Sequence, residues 1–583
     1  MTVASKPYRI VIHDKAAAKW LCFENPHAIV ASCRPGEIRA ALDRVEALVA
    51  DNGWYAAGFL CYEAAGAFDP ALRTRAASPG FPLIWFGLYS EPETFELPLP
   101  DYQAYSLGDI TPSVSRPEYN RSIERIRDHI RAGDTYQVNY TIRLRALLSG
   151  DPWHLFLAMV KAQSPGYSAW VDIGTHAICS ASPELFFLLQ GNRLTCKPMK
   201  GTVHRGRTCD EDASLAEWLR NSEKNRAENL MILDMIRNDL GRVADIGTVR
   251  VPALFEIERH PTLWQMTSTV EATCRKPLAD IFAALFPCAS ITGAPKIRTS
   301  QIIAELEPDP RGIYCGSIGY VAPGRSAQFN VAIRTAVADR RSGRVEYGAG
   351  GGVVWDSSGS DEYDEALLKA RILQEKFEPF CLFETMLWTP EEDFFLLDRH
   401  LARLAASAGY FGFGFDMAKV RKTLQEAVLG FARCPHRVRL LADSKGRLEV
   451  CAERFAVEER GGPVRVGLAA APVNSSDVFL YHKTTRRRVY ESALQFRPDC
   501  DDVLLWNERG ELTESTIANL VVEMDGNLCT PPVSSGLLPG TFRAGLLEEG
   551  RIRERVVRVA ELGTCRKIYL INSVRKWREA ALL

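Results

Sequence analysis

Residues 348–371 read GAGGGVVWDSSGSDEYDEALLKAR. Four of the first five residues are glycine, and an apolar run VVW follows. The spacing predicts a glycine-rich strand, YGAGGGVVW, and then a helix, DEYDEALLKARILQEKF. On that helix Glu362, Glu365 and Lys369 share one face, at offsets of three and four. Two readings stand side by side. Glu365 and Lys369 suit an ordinary surface ion pair. The two carboxylates also suit Mg²⁺, which takes oxygen ligands from one or two acidic side chains plus substrate and water. The glycines likewise have two readings, a backbone nest for an anion or a simple glycine-rich hairpin.

Bulk properties narrow the class. The chain has 583 residues, enough for two to four structural units. It is 46% hydrophobic and 25% charged, ordinary values for a globular protein. Seventy-one basic residues balance 72 acidic ones, for a net charge of −1. That balance leaves no basic footprint for nucleic acid or an anionic membrane. No apolar run reaches the length of a transmembrane helix. The start, MTVASKPYRIVIHD, lacks a signal-peptide core. Fifteen cysteines occur with no CxxC pair, which suits free thiols in a reducing compartment and not a zinc site. We therefore expect a cytoplasmic, multi-domain enzyme.

Outward from the quoted stretch, residues 1–115 alternate strand-like and helical runs. A helix is expected from SRPEYNRSIERIRDHIRAGD, with Ser115 as N-cap and Pro117 in the first turn. Ile123, Ile126 and Ile130 follow at helical spacing. SLAEWLRNSEKNRAENLMILDMIRNDLG (214–241) suggests one polar helix capped by Gly241. The pattern restarts near EPFC, so the main boundary is set at 376–381, between segments 1–376 (1–115 and 116–376) and 381–583. Within CKPMKGTVHRG (196–206), Lys200 sits between Pro198 and Gly201, a constrained path in which its amine either points to solvent or does chemistry.

Seven motifs occur in order: SPELF (182–186), KPMKGT (197–202), AENLMILDMIRNDLGRV (227–243), SITGAPK (290–296), RGIYCGSIGY (311–320), FNVAIRT (329–335) and the quoted stretch. Together they closely resemble the chorismate-utilising enzymes. The resemblance implies an α+β fold, a large antiparallel β-sandwich with flanking helices. It implies Mg²⁺ on Glu228 and Glu365, with Glu362 beside them. It implies chorismate held by Tyr314, Arg334, Lys369, Thr292 and the backbone of Gly350 and Gly351. Pro-Met-Lys-Gly-Thr matches the aminodeoxychorismate synthase branch, whereas anthranilate synthases look like Pro-Ile-Ala-Gly-Thr. In that branch the lysine, here Lys200, adds at C2 as the 4-hydroxyl leaves, and ammonia then enters at C4. Glu184 resembles the acid that protonates the leaving group. Gln265 stands where relatives carry histidine, and glutamine moves no protons at neutral pH. His260 is expected to be structural.

The rest of the chain carries LFETM, LDRHLARL, YHKTTRRRVYE (481–491), ELTESTIANL (511–520), LLPGTFR (537–543) and INSVRKW (571–577). This set resembles the fold-type IV pyridoxal phosphate (PLP) enzymes, a smaller α+β domain. The resemblance makes Lys483 the cofactor lysine and Glu514 the partner of the pyridine nitrogen. Arg403 and the amides of Thr541 and Phe542 after Gly540 would hold phosphate. Asn572 and Ser573 would line the site, and Thr385 would assist proton delivery. The segment lacks the usual N-terminal strands, so neighbouring residues, or the first domain, must cover an exposed sheet edge.

The two resemblances imply linked steps, chorismate and ammonia to 4-amino-4-deoxychorismate, then release of pyruvate to give 4-aminobenzoate for folate. No glutaminase-like Gly-x-Cys-x-Gly turn is present, so a separate glutamine amidotransferase is expected to supply ammonia. A homodimer through the second domain is a further expectation. The rivals are an anthranilate synthase joined to a transaminase, and a second domain that is only a scaffold.

Overall fold

The computed structural model describes residues 7–163, 166–456 and 462–583. The chain divides into two units, one running to Arg205 and resuming over Ala216–Phe377, the other comprising Gly206–Leu215 and Glu378–Leu583. Both are mixed α+β. Among the described residues no helix is long and apolar enough to cross a membrane.

The first unit holds an 11-stranded and a 10-stranded sheet, with antiparallel strand pairs throughout. Alternation along the strands divides the core. In the strand Ile10–Asp14, Ile10 and Ile12 join one apolar cluster while Val11 joins another. The strand Ala169–Asp172 does the same, with Ala169 and Val171 on one side and Trp170 on the other. The first cluster also takes Phe59, Phe86, Phe187 and Phe329 from the 10-stranded sheet, so both sheets feed one core. The second cluster lies under helices Arg116–Arg131 and Pro152–Gln163, which contribute Tyr119, Ile123, Ile126, Phe156 and Met159. A strand apolar on both faces is stable only when both are covered, each fully buried large side chain being worth about 1.5–3 kcal/mol.

The helix opening at Ser115 carries a capping box, the Ser115 amide donating to the Glu118 carboxylate at 2.9 Å. The single helix expected over 214–241 is two, Cys209–Asn221 and Glu223–Gly241. Ser222 breaks it by capping the second, accepting from the Asn225 amide. Gly241 is the last helical residue, and Arg242, in right-handed conformation, ends the helix.

The glycine-rich stretch is extended, in the second arm of a hairpin with Thr335–Asp339. It is the end of a straight strand, Arg344–Val353, laddered along its length against Gln137–Gly150. The neighbour on its other side, Thr335–Asp339, pairs only as far as Tyr347. Among the described residues, that edge of the strand has no strand partner from Gly348 onward.

The second unit has a four-stranded antiparallel sheet and an eight-stranded mixed one. The exposed edge expected at its start is covered from within the unit. The Phe383 amide donates to the Lys483 carbonyl at 3.0 Å, and the Thr485 amide donates to the Cys381 carbonyl at 2.9 Å. Residues 483–485 thus serve as the missing strand.

Candidate active sites

Lys200 lies on the strand Met199–His204 at a bulge. Met199 faces Thr267 and Thr202 faces Gln265, so Lys200 and Gly201 together oppose only Met266. Gly201 has φ +91°, a conformation that favours glycine. Two side-chain amides hold the bulge carbonyls. Asn229 Nδ2 donates to the Lys200 carbonyl at 3.2 Å, and Gln265 Nε2 donates to the Gly201 carbonyl at 2.8 Å. Gln265 is therefore a backbone clamp beside the key lysine, a role no local signal revealed. Burial pushes the Lys200 amine below the usual lysine range and Lys369 adds to this, while Glu228, Glu184 and Glu365 pull the other way.

Glu184 is 3% exposed. Its carboxylate accepts from Ser290 Oγ at 2.7 Å. Burial raises its pKa to about 7, against the opposing pull of Ser290 and Lys200. A carboxyl in that range can give a proton near neutral pH. Thr292, assigned to substrate, is fully buried. Its hydroxyl donates to the Cys288 carbonyl at 3.0 Å in a short 3-10 turn.

The glycines earn their place by close approach. A Cβ on Gly352 would stand 1.9 Å from Gln137 Nε2 and 3.0 Å from Lys200 Nζ. On Gly348 it would stand 2.1 Å from the ring of Tyr314, itself fully buried. On Gly351 it would look out at Glu362 Oε2, Lys369 Nζ and Glu365 Oε1, at 3.0, 3.7 and 3.9 Å. The strand, Lys200, Tyr314 and the acidic helix Gly359–Lys369 therefore converge.

Lys369 Nζ sits 2.7 Å from Glu365 and donates to the Gly350 carbonyl at 2.8 Å. The ion-pair reading of these residues thus holds in this structure. Glu362 accepts from Ser357 Oγ at 2.7 Å, and burial raises its pKa. Among the described residues no three His, Cys, Asp or Glu side chains come close enough to hold a metal ion. Glu228, Glu362 and Glu365, expected to be the metal ligands, do not form such a group in this structure. The Glu362–Glu365 pair still matches the one or two carboxylates that Mg²⁺ uses. Arg334 has φ +50°, rare outside glycine and typical of functional positions. It donates to Gln163, and the charge of Glu375 reaches it. Burial lowers its pKa, so an incoming carboxylate would relieve a real desolvation cost. His260, next to this region, is kept neutral by burial, with a pKa of about 4.

In the second unit a cavity of about 600 Å³ is lined by Thr385, Arg403, Lys483, Glu514, Gly540, Thr541, Phe542, Asn572 and Ser573. All the residues assigned there from sequence thus come together. Burial lowers the Lys483 amine to about 8, with Arg403 and Arg487 adding to the effect. Burial raises Glu514 to about 7. Glu514 accepts from Tyr490 Oη at 2.8 Å, Asn519 Nδ2 at 3.1 Å and the Leu538 amide at 3.2 Å. Gly540 is the N-cap of helix Thr541–Glu548, and a Cβ there would stand 1.9 Å from Asn519 Oδ1. That helix start offers free amides to an anion.

Arg403, expected at the cofactor phosphate, lines the cavity and is held by Glu384. Its guanidinium forks onto Glu384, at 2.8 and 2.6 Å, and a third N–H reaches the Pro539 carbonyl at 2.9 Å. Burial would raise the Glu384 pKa, but Arg403 and His400 hold it at about 2. Glu384 needs this pairing because it is 1% exposed. Asn572 is also occupied, its carbonyl oxygen accepting the amides of Val574 and Arg575. The Ser573 hydroxyl donates to the Thr385 carbonyl at 3.3 Å. Sequence reading missed Glu384, Tyr490, Arg439 and Arg487. For Glu384 a signal existed, since alternation in LFET puts it on the face opposite Phe383 and Thr385.

The cavity fits PLP on its own chemistry, with a buried amine of lowered pKa, a buried carboxylate with three donors, and a helix start built for an anion.

Comparison with known proteins agrees with both halves. Residues 8–375 match the family model described as chorismate binding enzyme, and residues 381–583 match that of class IV amino-transferases. Over 271 residues the chain is 41% identical to aminodeoxychorismate synthase component 1 of Escherichia coli, covering 46% of this chain and 59% of that one. With the Bacillus subtilis protein of the same description it shares 38% over 273 residues, 46% of this chain and 58% of the relative. The chain thus spans a little under three fifths of these relatives' length. Anthranilate synthase component I from Streptococcus pneumoniae has the same fold, at a TM-score of 0.54 and 24% identity, over 64% of this chain and 94% of that structure. With the matched region covering well over half its length, and a lysine, an acid and a glycine strand converging as described, the chain belongs to the chorismate binding enzyme family.

Proposed function

We propose that the first unit converts chorismate and ammonia to 4-amino-4-deoxychorismate and water, and that the second cleaves this product to 4-aminobenzoate and pyruvate. The observation that carries the first step is Lys200 held at a clamped bulge, its amine lowered by burial. A lysine is a nucleophile only when neutral, and burial raises that fraction. The Lys200 amine adds at C2 while Glu184, half protonated near pH 7, gives a proton to the departing 4-hydroxyl. Ammonia enters at C4 and the lysine leaves. Arg334 and Lys369, with Tyr314 and the Gly350–Gly351 backbone, receive the substrate carboxylates. Glu362 and Glu365, with Glu228, would hold Mg²⁺ through oxygens shared with substrate. The two large sheets that share a core would form the family's β-sandwich. That the relatives are component 1 of aminodeoxychorismate synthase supports a separate glutamine amidotransferase as the ammonia source.

In the second unit Lys483 would carry PLP, Glu514 would face its ring nitrogen, and the Thr541 and Phe542 amides its phosphate. Bound there, PLP supplies an electron sink for the substrate carbon that loses a proton. Lys483 takes the proton from C4, and Thr385 stands beside it to help deliver one to the departing group. Loss of pyruvate leaves an aromatic ring.

The test is incubation of the purified chain with chorismate, ammonium and Mg²⁺, with and without PLP, and identification of products by mass. We expect 4-amino-4-deoxychorismate without PLP, and 4-aminobenzoate with pyruvate when it is added. Ortho-aminobenzoate, or amino transfer to a 2-oxo acid, would overturn the reading. Unchanged 4-aminobenzoate output from Lys483→Ala would make the second unit a scaffold.

A further inference from the structure

We propose that Tyr490 is the positioning residue that keeps Glu514 a carboxylate, and so decides whether the ring nitrogen of the cofactor keeps its proton. The inference rests on the PLP reading of the second unit and gives a role to a side chain that reading does not use.

A carboxyl shut away from water defaults to the neutral acid. Glu514 is buried, and burial raises its pKa to about 7. A neutral acid brings no charge to a protonated nitrogen, so the donors on Glu514 decide what it can do. Oε1 takes Tyr490 Oη at 2.8 Å and the Leu538 amide at 3.2 Å, and Oε2 takes Asn519 Nδ2 at 3.1 Å. These donors are not equivalent. Asn519 Nδ2 is shared, since it also donates to the Leu538 carbonyl at 2.9 Å. The Tyr490 hydroxyl has one proton, and Glu514 receives it in the shortest of the three bonds. Of the groups that pull the Glu514 pKa back down, Tyr490 is the largest, ahead of the Leu538 amide, Arg487 and Lys483. Oε1 is thus filled from the protein, and Oε2, with one donor, keeps capacity for another from the cavity.

Tyr490 is built to supply that proton. It lies on the helix Arg488–Gln495 and belongs to an apolar cluster with Leu480, Ala493, Val503 and Leu505. The core, and not the cavity's contents, therefore places its ring. Burial first, and then the charge of Glu514, pushes its own pKa well above the usual range, so it stays a donor. The charges facing the pair are Arg487, Lys483 and Asp477. Arg487 lies over the Tyr490 ring at 4.5 Å and donates to the Thr516 carbonyl. Arg487 and Lys483 favour an ionised Glu514, and Asp477 opposes a charge on Tyr490.

One proton is shared between Glu514 and a ring nitrogen set against it. With Tyr490 donating to Glu514, that proton rests on the nitrogen and the ring draws electrons strongly. Without Tyr490, Glu514 becomes more basic and takes the proton, and the nitrogen is left neutral.

The test uses the full chain loaded with PLP isotope-labelled at the ring nitrogen, as wild type, Tyr490→Phe, Glu514→Gln and the double variant. Nitrogen NMR at neutral pH separates a protonated ring from a neutral one. Fluorescence titration gives PLP affinity, and pyruvate release from 4-amino-4-deoxychorismate gives kcat and KM. Phenylalanine keeps the packed ring and removes only the donor. We expect a protonated nitrogen in wild type and a shift to the neutral form in Tyr490→Phe. PLP affinity and kcat should each fall about ten- to a hundredfold, the range for a lost hydrogen bond to a charged group, with KM unchanged. In the Glu514→Gln background, Tyr490→Phe should cost nothing further. The same nitrogen signal in wild type and Tyr490→Phe would overturn the proposal. An equal loss of PLP affinity in both backgrounds would overturn it too, by making Tyr490 a packing residue. A wild type that binds PLP with a Tyr490-dependent proton on its nitrogen, yet releases no pyruvate, would leave the proposal standing and end the lyase reading.

Discussion

Replacing Glu184 with glutamine should make the protein more stable as it makes the first unit inactive. Folding raises the Glu184 pKa from an ordinary 4.5 to about 7, by burial. The folded state therefore prefers the neutral acid. The cost of ionising it is absent below pH 4.5, grows between 4.5 and 7, and is full above 7. A shift of this size is worth about 3 kcal/mol at about 1.4 kcal/mol per pH unit. Glutamine keeps the shape and can still accept from Ser290 Oγ, which sits at 2.7 Å, but it never ionises. Glu184→Gln should thus match wild type near pH 4.5 and exceed it by about 3 kcal/mol at pH 8. Two units make a single unfolding midpoint ambiguous. Native-state hydrogen exchange of the amides in Leu185–Gln190 reports the right region. Formation of 4-amino-4-deoxychorismate should fall about a hundred- to ten-thousandfold, the usual worth of a general acid. A stability difference that does not change between pH 5 and pH 8 would refute the burial argument. Full retained activity would refute the acid role.

Lys483→Met should stabilise the second unit without PLP, because folding lowers this amine from 10.5 to about 8 through burial. The cost of keeping the lysine is full below pH 8 and vanishes by 10.5, so thermal scans should show an advantage of about 3 kcal/mol at pH 7 that shrinks as pH rises above 8. Gln265→Ala removes the clamp on the Gly201 carbonyl and should lower synthase kcat about tenfold with little change in chorismate KM, read by steady-state kinetics. If KM rises alone, Gln265 touches substrate and not the bulge. Gly352→Ala would drive a methyl against Gln137 and toward the Lys200 amine, and product analysis should show loss of the aminated product while Lys483-dependent chemistry on supplied 4-amino-4-deoxychorismate continues.

Much of this was legible because the deciding features are local. Ser115 and Glu118 form their capping box within four residues. Alternation in strands such as Ile10–Asp14 follows from period two alone. The reading failed where a feature depends on distant partners. One polar helix over 214–241 looked continuous, since Ser222 gives no sign of capping until its turn is formed. The glycines 348–352 were readable as strand, but nest and hairpin stayed open because clusters of glycine permit many backbones. Their ladder with Gln137–Gly150 and the approach of Tyr314 select one.

Sequence by itself determined the two-part organisation, the secondary structure with short-range causes, and the residue types at both sites, because caps, periodicity and ordered motifs act over a few neighbours. Tertiary structure alone decided which charges are neutralised. Glu384 silences Arg403, Glu453 silences Arg437, Lys369 silences Glu365, and Arg439 is left with an aromatic ring. It also decided that residues 206–215 belong with the second unit. The reason is range. A carboxylate's effect on a cation falls off within a few ångströms, and in a folded chain those ångströms are crossed by residues scores of positions apart.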